Sequence, residues 1–491
     1  MGLGHYFPVK PGFLARGFLQ SGRFGLDLSA HEMNRSHIPL RVELRDTLKL
    51  AAPIVLNQVG HMSMGLVDTM VSGRIGTNAI GGLGLAANVF WTFTSVCLGC
   101  LFALDTYFAQ SIGAKDGRSL SGYLAQSWWS CVFVTVASTV CIVLGGILYA
   151  VTAATGPVRD AFVTYLAHII WCLPTLFVFF VLQRYWQARR RVLPFTIIIL
   201  GANVLNLFAC LALGLGLWGF PRLEVEGIAI ATVFCRYVML AAAVVFTWHE
   251  LKPFTWRLPR VDWHIQGQLF RLGLPAAGHT GLEVGAFTIA TFVAGTLGAV
   301  PLAAHHVCLM MAAFTFMFPY GFSQAAAVRV GTFIGAEQSA RARIAGYLCI
   351  AVSVTCMSFF SLGYLLFPQT LLGWFTHDPL VIATGTKLLV IIAVFQIADG
   401  TQVSATGALR GLGNTHAAMV ANLIGHYPVG LALGLVLCFG FNFGVTGLWA
   451  GLAAGLISVA GMLMWAWHSV TRDLSLLRPL ARTETRVLAD H

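Results

Sequence analysis

The chain has 491 residues, of which 57% are hydrophobic and only 10% charged, and it contains 52 glycines. An ordinary soluble domain is about 25% charged, so this composition excludes a soluble globular enzyme and points to a membrane protein. The 30 Lys and Arg against 19 Asp and Glu leave a formal net charge of +11, whose meaning depends on where the charges sit.

Stretches without any Asp, Glu, Lys or Arg cover 75–104, 119–158, 192–221, 284–328, 344–377 and 411–471. A membrane-spanning helix needs about 20 apolar residues, so these stretches and their flanks divide into twelve predicted helices. Residues 1–46 precede them. Lys10, Arg16 and Arg23 interrupt the apolar runs there, leaving no signal-peptide core, and the segment is expected to be a cytosolic extension. The first predicted span, 47–73, holds Pro53, His61 and Asp68. The second, 79–105, ends at Asp105, which is expected to snorkel to the cytoplasmic interface or to pair with Lys115 or Arg118. Spans follow at 122–152, at 161–184 with Pro174, at 192–218 with Asn203, Asn206 and Cys210, and at 225–249. A cytosolic linker at 251–267 separates a first lobe, 47–250, from a second, 268–471. The second lobe opens with 268–297, containing Pro275 and Glu283, and 301–327, with His305 and His306 expected at its outer boundary. It continues with 344–368, 384–409 containing Gln396 and Asp399, 415–439 and 444–468, and a cytosolic tail, 472–491, closes the chain.

The two lobes repeat one another. At an offset of 222 residues Pro53 matches Pro275, Gly73 matches Gly295, Gly76 matches Gly298, and Ile112-Gly-Ala114 matches Ile334-Gly-Ala336. Each copy contains an even number of spans, so the copies run in the same sense, as parallel repeats about an axis along the membrane normal. The fold expected is therefore all-α and integral to the membrane, with twelve transmembrane helices in two six-helix lobes. Transporters place substrate and ion sites at the seam between such repeats. Pro53 and Pro275, repeat partners that each remove a helix hydrogen bond, are the hinge candidates.

Counted loop by loop, 25 Lys and Arg fall on the side of the N-terminus and three (Arg74, Arg159, Arg222) on the other, with Arg236 and Lys387 at span level. Cytoplasmic loops are enriched in Lys and Arg, so both termini are expected in the cytoplasm and anionic lipid, not nucleic acid, is the expected partner of the basic charge. Eleven scattered cysteines behave as small hydrophobes in apolar spans. No disulfide and no metal site is assigned, and no nucleophile or zinc-hydrolase motif suggests an enzyme.

Few acids lie within spans. A carboxylate at the bilayer centre costs about 2.5–3.5 kcal/mol on insertion scales and normally faces the bundle interior or a wet cavity. Asp68, Glu283 and Asp399 have no Lys or Arg near them in sequence and are the candidates for coupling transport to an ion. The repeat offset lands from Glu283 on His61, so the lobes are chemically unequal. His61 reads as a polar residue packed between helices or as a proton relay.

The run Ala52-Pro53-Ile54-Val55-Leu56, then Gly65-Leu66-Val67-Asp68-Thr69 with Gly73 and Gly76, resembles the first helix of the multidrug and toxic compound extrusion (MATE) family. Gln110-Ser-Ile-Gly-Ala114, Pro301-Leu-Ala-Ala-His305 with Gln324-Ala-Ala326, Phe395-Gln396 with Asp399, Gly407-Ala-Leu-Arg410-Gly411 and Gly447-Leu-Trp449 are similar to later motifs of its bacterial NorM-like branch. The resemblance implies an antiporter of the cell membrane (the inner membrane in a Gram-negative bacterium) that exports amphipathic organic cations or drugs in exchange for protons or sodium, as a monomer without cofactor. It places Asp68 as the first lobe's carboxylate, with a supporting network of His61, Asn203, Asn206 and Gln396. Glu283 and Asp399 are placed at the second lobe's cation site, where sodium is one candidate occupant. Phe395 stands where some sodium-coupled members have a tyrosine, and Cys210 replaces a polar partner of Asn206, so proton coupling is favoured. The alternative is a lipid-linked oligosaccharide flippase of the same wider fold, which would be expected to line its cavity with cations.

Overall fold

The computed structural model describes residues 39–152, 156–251, 260–474, 477, 479 and 480. Its long helices are α1 (Leu40–Ile75), α2 (Thr77–Gly113), α3 (Gly117–Thr152), α4 (Gly156–Ile169 continued by Cys172–Ala188), α5 (Leu193–Leu215) and α6 (Glu224–Leu251). The second set is α7 (Trp263–Thr296), α8 (Ala299–Gly335), α9 (Ser339–Leu366), α10 (Pro379–Gly411), α11 (His416–Gly440) and α12 (Gly444–Arg472). Ten are long and apolar enough to cross a membrane, and α4 is so as a bent pair. The twelfth, α7, carries Arg271 and Glu283 along its 34 residues. Among the described residues the protein is thus an all-α membrane protein with twelve long helices, six to a lobe.

Several boundaries differ from the sequence expectation. Helix α1 starts at Leu40, inside the stretch read as an extension, because Glu43 is buried against Arg329 and Arg341 and so does not end the helix. Residues 1–38 lie outside the described residues, as do 252–259 of the linker. Helix α7 starts at Trp263, within that linker, where the Asp262 carboxylate accepts the backbone N–H groups of His264 (2.9 Å) and Ile265 (3.2 Å), a helix N-cap. Helix α12 takes in Arg472, and the described part of the tail docks: the Leu480 N–H donates to Gln110 Oε1 at 2.8 Å.

The fourth span is not straight. Its two segments meet at 47°, just before Pro174, whose ring crowds the carbonyl of Ile170 and offers it no N–H. Helices α1 and α7 run unbroken through Pro53 and Pro275.

The repeat seen in the sequence also organises the contact between lobes. Gly76 (φ 155°) and Gly298 (φ 113°), repeat partners, turn the chain between α1 and α2 and between α7 and α8 with backbone angles that disfavour L side chains. Across the lobes, Gly99 packs on the backbone of Ala277 while its mate Gly321 packs on that of Val55, the mate of Ala277. At the ends of α2 and α8, Gly113 meets the Thr332 carbonyl and Gly335 meets the Gln110 carbonyl, again as mates. All four contacts lie in the half of the bundle where α1 and α7 begin and α2 and α8 end. Small residues permit this close backbone approach, and closely packed helices in a bilayer depend on it.

Candidate functional site

Within the first lobe Asp68 lies deep in α1, buried among side chains from three other helices. Its Oδ2 accepts from the Tyr165 hydroxyl of α4 (3.0 Å), the Thr232 hydroxyl of α6 lies 2.9 and 2.8 Å from its two oxygens, and Cys210 Sγ of α5 is 3.5 Å from Oδ1. Asn206 Nδ2 donates to the Thr232 oxygen at 3.1 Å. Each hydrogen-bond donor to the carboxylate is neutral, while the buried Arg236 of α6 acts on it electrostatically. Asn203 is not part of the network: its Nδ2 donates to the carbonyls of Gly60 (2.9 Å) and Ile199 (2.8 Å), tying α5 to α1. His61 faces elsewhere as well, accepting from Arg236 at Nδ1 (3.4 Å) with Phe179 edge-on to its ring.

In the second lobe Glu283 of α7 and Asp399 of α10 share one donor. Gln402 Nε2 donates to Glu283 Oε1 (3.1 Å) and to Asp399 Oδ1 (3.3 Å), and His279, one turn before Glu283, sets its Nε2 3.8 Å from Glu283 Oε2. Two ionised carboxylates side by side repel, and a bound cation or proton removes that repulsion. Gln402 Oε1 is buried without a partner among the described residues and is a further oxygen available to a hard cation. Phe395 offers no oxygen; it is packed against Phe287 and Trp449. Gln396, placed with the acids by the resemblance, donates instead to the Thr315 hydroxyl, which Tyr364 also approaches at 3.3 Å. His305, in the second turn of α8, is fully buried between Thr291 (2.9 Å) and the indole N–H of Trp449 (3.1 Å), while the neighbouring His306 is exposed.

Below these networks, ion clusters join the lobes. Asp105 Oδ2 lies 3.3 Å from Arg184 Nη1 of its own lobe and 3.3 Å from Arg410 Nε of the other. Lys115 and Arg118, the partners expected from the sequence, lie past the end of α2 at Gly113, and Asp105 is paired instead with these two arginines. Phe102 packs beneath both guanidinium groups, at 5.4 Å from Arg184 and 4.6 Å from Arg410. Nearby, Glu43 of α1 binds Arg329 and Arg341 of the second lobe, the latter at 2.7 Å. Thr106 and Gln110 add hydrogen bonds to the carbonyls of Arg410 and Gly411. Arg184, Arg329 and Arg410, counted from the sequence as loop charges, are therefore buried fastenings.

The sequence reading missed Tyr165, Thr232, Gln402, His279 and these fastenings. Gln402 and His279 were within reach, because positions three or four apart share a helix face. Tyr165 and Thr232 stand 97 and 164 residues from Asp68, and no spacing signals them.

The MatE family model matches residues 53–211 and 275–436. The multidrug resistance protein NorM of Burkholderia vietnamiensis is 33% identical over 442 residues, covering 87% of this chain and 94% of that protein. A Rhodopseudomonas palustris protein named as a probable NorM is 35% identical over 444 residues, covering 88% and 93%. Among solved structures, the eukaryotic MATE transporter AtDTX14 superposes with a TM-score of 0.79 at 20% identity, covering 89% of this chain and 98% of that one. The bent form of the Vibrio cholerae MATE transporter VcmN superposes at 0.74 and 17%, covering 89% and 99%.

Proposed function

The chain belongs to the MatE family of membrane transporters, and from that premise we propose that it is a multidrug efflux antiporter. It exports amphipathic organic cations in exchange for protons, or for sodium, by alternating access. The observation that carries this reading is the pair of a partly buried Glu283 and a buried Asp399, acids in different helices that share the single amide donor of Gln402. An arriving proton or sodium ion and a cationic drug compete for the same negative charge, and that competition couples the two flows. Asp68, hydrogen-bonded only by neutral donors, is a second carboxylate of the same kind in the other lobe.

The interlobe fastenings close the side on which α1 begins. With both termini cytoplasmic, as the distribution of Lys and Arg supports, still 22 to 3 once the buried Arg184, Arg329 and Arg410 are set aside from the 25, the closed side is the cytosolic one. Proton coupling is favoured because Phe395 supplies no ligand beside Asp399. One chain provides both lobes and the seam between them, which supports a monomer as the transporting unit, seated in the cell membrane. A cation-lined cavity for lipid-linked pyrophosphate has little support, since Lys387 is exposed on the outside of α10 and Arg236 is engaged with His61.

Efflux measured in everted vesicles under separate proton and sodium gradients tests the reading. Asp68→Asn, Glu283→Gln and Asp399→Asn are each expected to lower gradient-driven efflux by at least about tenfold, the scale of one lost charge-assisted interaction. Wild-type rates in all three variants would refute the site.

A further inference from the structure

The geometry points to a binding site for a small monovalent anion, of which chloride is the probe, in the narrow cavity between the lobes beside Arg410. Phe102, Ala276, His279, Thr406, Arg410 and Ala418 line this cavity. Arg410 is only 4% exposed, and its Nη2 has no hydrogen-bond partner among the described residues. Its Nε is near Asp105 Oδ2, at 3.3 Å, but is not aligned to donate to it. The Thr406 hydroxyl, on the same helix one turn earlier, is also shielded and unpartnered. Two donors, a guanidinium and a hydroxyl, therefore line one cavity with no acceptor for them among the described residues. Buried polar groups are almost always satisfied, and an unmet set is the mark of a bound water or ion.

Charge distinguishes an ion from water. Asp105 carries one negative charge, and it is shared by Arg184 and Arg410. The charged groups acting on Arg410 are Asp105 and Arg184, so the cluster keeps one positive charge in excess. An uncompensated buried charge costs several kcal/mol. A water molecule would satisfy the donors and leave that charge, whereas a halide-sized anion satisfies both. Of the other lining groups, the Thr415 hydroxyl is committed to the Leu272 carbonyl (2.9 Å), and Ala276, Ala418 and Phe102 are apolar. His279 Nε2, without a hydrogen-bond partner among the described residues, is one further donor in the tautomer that carries its proton there, too few for the four oxygens of a phosphate or sulfate. Because Arg410 belongs to one lobe and Asp105 to the other, a bound anion also stabilises the state in which the lobes are fastened.

The test uses purified full-length protein in sodium gluconate, exchanged stepwise for sodium chloride at constant sodium concentration and ionic strength. A saturable rise in thermal unfolding temperature with chloride is expected. Thr406→Val, which keeps the side-chain volume and leaves both arginines in place, is expected to weaken apparent chloride affinity about tenfold, the worth of one hydrogen bond to a charged group. Crystals grown with bromide are expected to show an anomalous peak beside Arg410. Identical unfolding in chloride and gluconate, or a bromide-free cavity, would overturn the assignment. Neither measurement requires transport, so loss of the antiport reading would leave this result standing, and the reverse.

Discussion

Gly113 and Gly335, repeat partners in opposite lobes, each press against the other's helix, Gly113 on the Thr332 carbonyl and Gly335 on the Gln110 carbonyl. Neither position has room for a Cβ atom, because the obstructing atoms are backbone and cannot rotate away. Gly335→Ala is therefore expected to destabilise the closed arrangement by about 1–3 kcal/mol, the usual cost of overpacking. Gly295→Ala, where a Cβ meets open space, serves as the control. Thermal unfolding of both variants checks this, and an equal effect would refute it.

The Asp105 cluster makes an ordered prediction. Asp105→Asn leaves two buried guanidinium groups facing each other without a carboxylate, and breaking a buried pair in this way costs about 3–5 kcal/mol. Arg410→Gln leaves Asp105 still paired with Arg184 and is expected to cost less. It also cuts one tie between the lobes, so cysteines placed along the seam should become easier to label from the side on which α1 begins. Unfolding temperatures in the opposite order would contradict the cluster's role.

Tyr165 and Thr232 are predicted to tune Asp68. Tyr165→Phe and Thr232→Val each delete a donor to the carboxylate, a change worth about 1.5–3 kcal/mol for a charged acceptor. Both should shift the concentration of coupling ion needed for half-maximal efflux by about tenfold or more. Asn203→Ala, which removes a tie between helices outside this network, should lower stability and leave that concentration unchanged.

Asp116 caps α3 from the loop after α2. Burial pushes its carboxyl upward, but the Ser119 hydroxyl (2.6 Å) and the backbone N–H groups of Ser119 and Arg118 (3.1 Å each) together hold it below the ordinary carboxylate range. A carboxyl lowered on folding contributes stability that is present above its unfolded value and is lost as pH falls through the folded one. Asp116→Ala should cost about 1 kcal/mol at neutral pH, with the gap to wild type closing as the solution becomes strongly acidic. A pH-independent gap would show that capping by the charged form is not its source.

Much of the fold was legible because hydropathy and repeat offset are local signals. The charge-free stretches announced the spans, and the matches from Pro53 with Pro275 to Ile112-Gly-Ala114 with Ile334-Gly-Ala336 announced the two lobes. The start of α1 at Leu40 was not legible, because the partners that bury Glu43, Arg329 and Arg341, lie nearly 300 residues away. The same limit applied at the site. Asp68, Glu283 and Asp399 stood out because acids are rare in apolar spans. Which neutral side chain meets each one is decided by helix packing, and that placed Asn203 and Gln396 away from the acids they were expected to support.

The docked tail gives Gln110 a double duty. Its amide nitrogen donates to the Gly411 carbonyl of the second lobe, and its oxygen receives the N–H of Leu480, whose side chain covers Gly413. This described stretch of the tail is thus seated on a contact between the lobes, one that parts when that side opens in the proposed cycle. A fluorophore attached near Leu480 would act as a natural indicator, changing environment once per cycle without any probe being introduced into the spans.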